Sequence, residues 1–279
     1  MRKPDAREAL RGLSNGHIKP LGCHLTLAKQ GSLIKATRPF TGAIYNHPGV
    51  RGEVQPFSRA TKRRMVYKLA SINREYRPDF VTLTYPGRYE GDVKSVKRDL
   101  NVFGKRLARL DACAIWRLEF KERKTGASVG EIVPHFHFFV WWLDGGSLDD
   151  HRQWLARSWY EVVGSGQESH LKACENCQTM RSWNGVMYYA AKYITKDVVG
   201  KIPEHCGRQW GWINEDRIPW SEVETEEITV DQCKTAFQIF ESYAGSIWRE
   251  ECPSRTLLNE TPEKVRAAIL SVKSGLELD

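Results

Sequence analysis

Two tyrosines stand four residues apart in the run Tyr189-Ala190-Ala191-Lys192-Tyr193-Ile194-Thr195-Lys196, and each has a lysine three positions on. On a helix this spacing puts both phenols on one face, one turn apart, with Cβ atoms about 5–6 Å from each other. Lys192 and Lys196 then form a second row beside them. Upstream lies Pro134-His135-Phe136-His137. Imidazoles at i and i+2 of a strand share a face, about 6.6 Å apart along it, and can converge on one divalent ion. Glu119, between Arg117 and Lys121 on the polar side of the preceding strand, is the natural third ligand. Two histidines and a carboxylate leave coordination positions open for water and phosphate oxygens. A metal so held can polarise a phosphate and neutralise charge on a departing oxygen. A phenol with a pKa of about 10 is a weak nucleophile at neutral pH. It needs a proton acceptor or a nearby cation, and Lys192 and Lys196 are placed to serve. The chemistry indicated is attack on a phosphate, with the product held as a tyrosyl ester. Each part alone has a plainer reading. H-x-H pairs in strands often only hydrogen-bond, and tyrosines four apart are commonly core aromatics. Tyr188 shows that the region is rich in tyrosine. The combination carries the inference.

The elements that must position these residues follow from periodicity. Ala112–Arg123 alternates, with Ala114, Trp116, Leu118 and Phe120 on one side and Arg117, Glu119 and Lys121 on the other. Ile132–Trp142 is a second, strongly apolar strand, and a turn near Lys124-Thr125-Gly126 makes the two a hairpin with a long loop. Phe80–Tyr85 is a further strand. Asp92–Leu110 is the clearest helix, with Val93, Val96, Leu100, Phe103, Leu107 and Leu110 at three- and four-residue steps. A basic helix runs from the N-cap Ser58 to about Arg74, with Met65, Val66 and Leu69 inward. Further helices are expected over Leu148–Val163, Trp183–Val199, Asp231–Trp248 and Pro262–Ser274, a loop over Gly164–Glu175, and short strands near Cys23–Ala28 and Gly207–Ile213. The order predicts an α+β fold, with helices on one face of a mainly antiparallel sheet and the other face free for a site. Residues 1–56 read as an irregular or partly extended extension of unknown role, 57–215 as the chemical domain and 216–279 as a C-terminal helical segment.

The chain has 279 residues and a net charge of +8, which suits a polyanionic partner such as nucleic acid. The basic positions Lys94, Lys97, Arg98, Lys105, Arg106 and Arg109 could track a phosphate backbone. Trp141, Trp183, Trp210 and Trp212 could stack unpaired bases. No apolar run reaches the roughly 20 residues of a membrane span, so no membrane partner is expected. The N-terminus does not read as a secretory signal. With seven cysteines in no framework pattern, reduced thiols in a cytoplasm are expected. Cys174 and Cys177 form a lone C-x-x-C, for which only His170, His205 and Cys206 could complete a zinc site; they read as two loop thiols.

Phe80-Val81-Thr82-Leu83-Thr84-Tyr85, Pro134-His135-Phe136-His137 and Tyr189-x-x-Lys192-Tyr193-x-x-Lys196 resemble, in this order, the three motifs of rolling-circle replication initiators, or Rep proteins. These belong to the HUH endonucleases, named for histidine–hydrophobe–histidine. The doubled tyrosine resembles the gene A type of single-stranded DNA phages and related Reps of filamentous phages and plasmids. Arg181-Ser182-Trp183-Asn184-Gly185 and Gly207-Arg208-Gln209-Trp210-Gly211-Trp212 are similar to segments flanking the third motif. The resemblance covers about residues 58–215. It implies a five-stranded antiparallel sheet of ferredoxin-like (RRM-like) kind with the histidines on a central strand. It implies Mg²⁺ or Mn²⁺ at His135, His137 and Glu119. It also implies nicking of a single-stranded or hairpin origin, leaving a 5′-phosphotyrosine and a free 3′-hydroxyl. A long connection between Glu119 and His135 departs from compact relatives. No G-x-x-x-x-G-K-[ST] occurs, so no nucleotide cofactor is expected and a host helicase and polymerase would be partners. Relaxases and transposases of the superfamily are alternatives, although relaxases place their tyrosines before the histidines. A DNA-binding module or repressor without activity is another.

Overall fold

The computed structural model describes residues 22–39, 59–86, 92–124, 129–143, 148–174, 177–190, 192, 206–245 and 254–274. Its centre is the expected hairpin. Strands β4 (Ala112–Glu122) and β5 (Ile132–Trp142), in chain-order numbering, pair antiparallel along their whole length, from Ala112 opposite Trp142 to Glu122 opposite Ile132. Strand β3 (Asp79–Thr84) pairs with the other edge of β5, and β6 (Cys177–Thr179) with β3. Strand β7 (Trp210–Ile213) closes the far edge against β4. The result is a five-stranded antiparallel sheet in the order β6-β3-β5-β4-β7, with the histidine strand central. The α+β expectation holds.

Alternation along the strands sorts the two faces. Val81, Leu83, Trp116, Leu118, Phe136 and Phe138 form one core with helices α2 (Val93–Arg109) and α3 (Leu148–Val163). The Asp92 carboxylate caps α2 by accepting from the Ser95 amide at 2.8 Å. Trp159 of α3 is fully buried and donates its indole N–H to the Thr84 carbonyl at 2.6 Å. The region expected as a loop after α3 contains a short helix, α4 (Glu168–Ala173). Six residues are too few to show a helical period. Its buried His170 donates from Nε2 to the same Thr84 carbonyl at 2.8 Å, while its Nδ1 accepts from the Ser165 hydroxyl.

Contrary to the expectation of a free face, the opposite side of the sheet is covered over part of its length. At one end Phe80, Cys113, Ile115, Phe139 and Trp141 are covered by Met65 and Leu69 of helix α1 (Arg59–Ala70) and by Trp183, Val186 and Met187 of helix α5 (Trp183–Tyr189). At the other end the same face turns polar, with Thr82, Thr84, Arg117, Glu119, Lys121, His135 and His137. Helix α5 begins where expected, with the Ser182 hydroxyl accepting from the Gly185 amide. Most of its expected continuation, with Tyr193 and Lys196, lies outside the described residues, as does the N-cap Ser58.

The flanking segments hold an unexpected second sheet. Strands β1 (Cys23–Ala28), β2 (Ile34–Thr37), β8 (Val223–Ile228) and β9 (Ser254–Leu257) pair antiparallel in the order β8-β1-β2-β9. Helices α6 (Val230–Ala244) and α7 (Glu263–Ser274) cover it with Cys233, Ala236, Phe240, Ile269 and Val272. Residues 216–279 are therefore not wholly helical, and the N-terminal segment is extended at 34–37 as well as at Cys23–Ala28. The two sheets meet at the β1–β2 turn. There the Ser32 and Leu33 amides donate to the Ala70 carbonyl at the end of α1, both at 2.9 Å. A Cβ at Gly31 would lie 2.6 Å from that carbonyl oxygen, so the close approach requires glycine. No helix among the described residues is long and apolar enough to cross a membrane.

Candidate active site

The register sets the site. Glu119 stands directly across from His135, and Arg117 across from His137. On the other edge of β5, Thr82 faces His137 and Thr84 faces His135. The long connection between Glu119 and His135 is absorbed by the hairpin loop and leaves the two side by side. His137 is 5% exposed. Its Nε2 lies 3.1 Å from Glu119 Oε2 and its Nδ1 lies 3.1 Å from Thr82 Oγ1. A carboxylate only accepts, so Nε2 carries the proton. In the neutral ring Nδ1 then accepts from the Thr82 hydroxyl. Phe80 stacks on the His137 ring, with centroids 5.8 Å apart and planes inclined by 13°.

Burial, with His137 and Lys121 as lesser causes, pushes the His135 imidazole down to about 4, against the opposing pull of Glu119. His135 is therefore neutral at physiological pH, the form that can ligate a metal. Two imidazoles and a carboxylate on adjacent strands are a fitting donor set for a divalent ion with open positions. His135, His137 and Glu119 are the residues on this face that could hold one. Among the described residues no group of three His, Cys, Asp or Glu side chains is placed to hold a metal ion as it stands; His137 Nε2 is turned to Glu119 instead.

Tyr189 of α5 reaches this patch through one intermediary. Its ring packs edge-on against Phe80 with centroids 4.8 Å apart, and Phe80 in turn lies on His137. Tyr188 is 60% exposed. The Lys192 ammonium lies over the Tyr188 ring, 5.9 Å from its centroid, so it does not simply flank Tyr189 as the three-residue spacing suggested. Tyr193 and Lys196 fall outside the described residues.

Three contributors were not singled out from sequence. Thr82 and Phe80 belong to the first motif, but only the strand register shows that they hold His137. Arg117 is 1% exposed and donates from Nη1 to Gln209 Oε1 at 3.0 Å. Burial pushes its guanidinium down to about 10, with Glu119 and Cys206 opposing the shift, so it stays charged next to the carboxylate. It also fixes the segment after the tyrosine helix. The Leu118 amide donates to the Gln209 carbonyl at 2.7 Å, and the Trp116 indole lies so close to Gly211 that a Cβ there would sit 3.0 Å from it.

Other expected contributors lie elsewhere. Helix α2 packs on the far face of the sheet, so Lys94, Lys105 and Arg109 do not border the histidines. Arg106 pairs with Glu161 at 2.8 Å. Lys97 donates to the Arg208 carbonyl, lies over the Trp116 ring and is pushed down by burial. Trp141 and Trp183 are core residues, with indole N–H groups donating to the Tyr76 carbonyl and to Ser32 Oγ. Trp210 and Trp212 are half-buried and form an edge-to-face row with Trp220. Cys174 and Cys177 are buried free thiols, each pushed up to about 12 chiefly by desolvation. Both nitrogens of the neighbouring His170 are taken by hydrogen bonds.

No protein-family model matches this chain, and no curated protein or solved structure matches it.

Proposed function

We propose that this chain is a site-specific single-stranded DNA endonuclease and strand-transferase that initiates rolling-circle replication. The observation that carries the reading is the convergence on one sheet face. His137 contacts Glu119, His135 stands in register with Glu119, and Tyr189 reaches His137 through Phe80. Residues of the first two motifs and Tyr189 of the third thus lie near one another on that face.

In this reading a tyrosine oxygen, from Tyr189 or Tyr193, attacks the scissile phosphorus as its bond to the 3′-oxygen breaks. The phenolic proton is lost and the departing 3′-oxygen gains one, leaving a 5′-phosphotyrosine and a 3′-hydroxyl. Attack by a 3′-hydroxyl on the tyrosyl ester reverses the step and joins strands. Mg²⁺ or Mn²⁺ held by His135, His137 and Glu119 would polarise the phosphate. Thr82 and Phe80 fix the His137 ring, and the charged Arg117 favours the ionised Glu119. Lys192 and Lys196 assist the phenols. The substrate is single-stranded or hairpin origin DNA in a cytoplasm, the host's if the gene is a phage's, with a host helicase and polymerase as partners.

The test uses single-stranded oligonucleotides tiled across the replicon that encodes the chain, with Mn²⁺, and reads covalent adducts on a denaturing gel. Adducts are expected with the wild type and not with His135→Ala or His137→Ala or in EDTA. Peptide mapping should place the DNA on Tyr189 or Tyr193. Tyr189→Phe and Tyr193→Phe should each retain first-strand nicking, with multi-round circle release sharply reduced, and the double variant should be inert. Full nicking by His135→Ala in EDTA, or an adduct only on Tyr188, would overturn the reading.

A further inference from the structure

Helix α1 is the feature that the proposed chemistry leaves unexplained. Its sequence, Arg-Ala-Thr-Lys-Arg-Arg-Met-Val-Tyr-Lys-Leu-Ala, contains five cations and no carboxylate. Its inward residues Met65, Leu69 and Ala70 share a core with Trp183, Val186 and Met187 of the tyrosine helix and with Phe80. It therefore lies on the same side of the sheet as the histidines, whereas the other strongly basic helix, α2, lies behind it. The hydrogen bonds from Ser32 and Leu33 to Ala70 anchor its last turn.

Several cations elsewhere among the described residues are neutralised, unlike two of those on α1. Lys29, Arg106, Arg217, Lys234 and Arg255 all pair with carboxylates. Arg63 and Arg64 are exposed, and among the described residues no carboxylate pairs with either. Lys68 lies over the Trp220 ring, 4.9 Å from its centroid. From there the row continues through Trp212 to Trp210, which stands across from Arg117 on β4. Exposed cations on a helix that reaches a row of half-exposed aromatic rings through Lys68 suit a single nucleic-acid strand, since phosphates seek the cations and unpaired bases the rings.

We propose that α1, through Arg63 and Arg64, binds the phosphate backbone of the single DNA strand that flanks the scissile phosphate, with the Trp210–Trp212–Trp220 row beside its bases. The identity of the strand rests on the proposed function; the surface itself does not.

The experiment measures binding of a fluorescein-labelled oligo(dT) to the full chain by anisotropy across a salt series. Arg63→Glu/Arg64→Glu is compared with Lys105→Glu/Arg109→Glu on the far face, which changes the net charge equally. The α1 variant should bind about tenfold more weakly, with a log–log salt slope shallower by about 1.4, from about 0.7 per lost phosphate contact. The α2 variant should keep the wild-type slope. Arg63→Gln/Arg64→Gln serves as the second α1 variant if charge reversal lowers the melting temperature. Equal losses for the two helices, or none for α1, would overturn the inference while leaving the nicking result standing. Tighter binding of a duplex of the same length would overturn the single-strand assignment. Loss of oligo(dT) binding by the α1 variants in a chain that forms no adducts would support this surface and sink the endonuclease reading alone.

Discussion

Thr82→Val isolates one hydrogen bond. Valine keeps the volume and the β-branched shape that suit β3 and removes only the hydroxyl 3.1 Å from His137 Nδ1. His137 is nearly buried, so water is a poor replacement. While Nε2–H donates to Glu119, the Thr82 hydroxyl donates to Nδ1. With Nε2 free for a metal, Nδ1 would carry the proton and the same hydroxyl would accept it. Valine can do neither. Leaving a buried polar atom unpartnered costs about 1–3 kcal/mol. For a chain of this size that lowers Tm by about 2–4 °C per kcal/mol. If His137 ligates as proposed, loss of the group that orients it should weaken metal binding about 10–100-fold. Thermal unfolding, with Mn²⁺ titration of adduct formation, reads both effects. Thr82→Ser should remain close to the wild type. If Thr82→Val melts with the wild type and shows an unshifted Mn²⁺ requirement, the assignment of Thr82 as the orienting group is wrong.

Two further substitutions probe the scaffold. Burial holds the His170 pKa below its ordinary value, against the opposing bond to Thr84. In the unfolded chain this histidine titrates at about 6.5, so its contribution is full above that pH and is lost as pH falls towards the lower folded value. Urea unfolding should therefore show wild type losing more stability than His170→Gln between about pH 6.5 and pH 5; parallel curves would refute the argument. Gly31→Ala forces a Cβ to 2.6 Å from both the Ala70 carbonyl oxygen and Ala28 Cβ. It should cost about 1–3 kcal/mol in the same assay, and an unchanged midpoint would show that the junction yields easily.

The parts legible in the sequence were those with a local period. The alternation of Ala112–Arg123 and Ile132–Trp142 and the three-and-four steps of Asp92–Leu110 needed no partner to be seen, and their bounds hold to within a residue or so. The shared face of His135 and His137 follows from the same rule. Cross-strand neighbours depend on register, which a long hairpin loop conceals, so Thr82 and Phe80 were not seen to hold His137. Which basic helix lies on the site face depends on how the chain crosses the sheet. The period of α2 is as strong on the wrong side as on the right one. Strand β8, Val-Glu-Thr-Glu-Glu-Ile, is mostly exposed or half-exposed, and β2 has only four residues. Neither buries enough on its own to signal a sheet whose partners are remote in the chain.

That second sheet has a consequence for how the molecule is made. Thr26 of β1 bonds to Thr225 of β8, 199 residues further along. Ring closure over such a span is entropically costly and slow to be rewarded. During synthesis the β1–β2 hairpin emerges well before the strands that pair with it. Both its edges and its apolar face, with Leu25, Ile34 and Ala36, wait uncovered until β8, α6, β9 and α7 leave the ribosome. Open strand edges are templates for unwanted pairing. A fragment trimmed to the three motifs would remove this sheet altogether and leave the Ala70 carbonyl and the inner end of α1 without their partners. The segments that look most dispensable on motif grounds are thus the ones whose strand edges stay open longest during synthesis, and the ones that hold the inner end of α1 once the chain is complete.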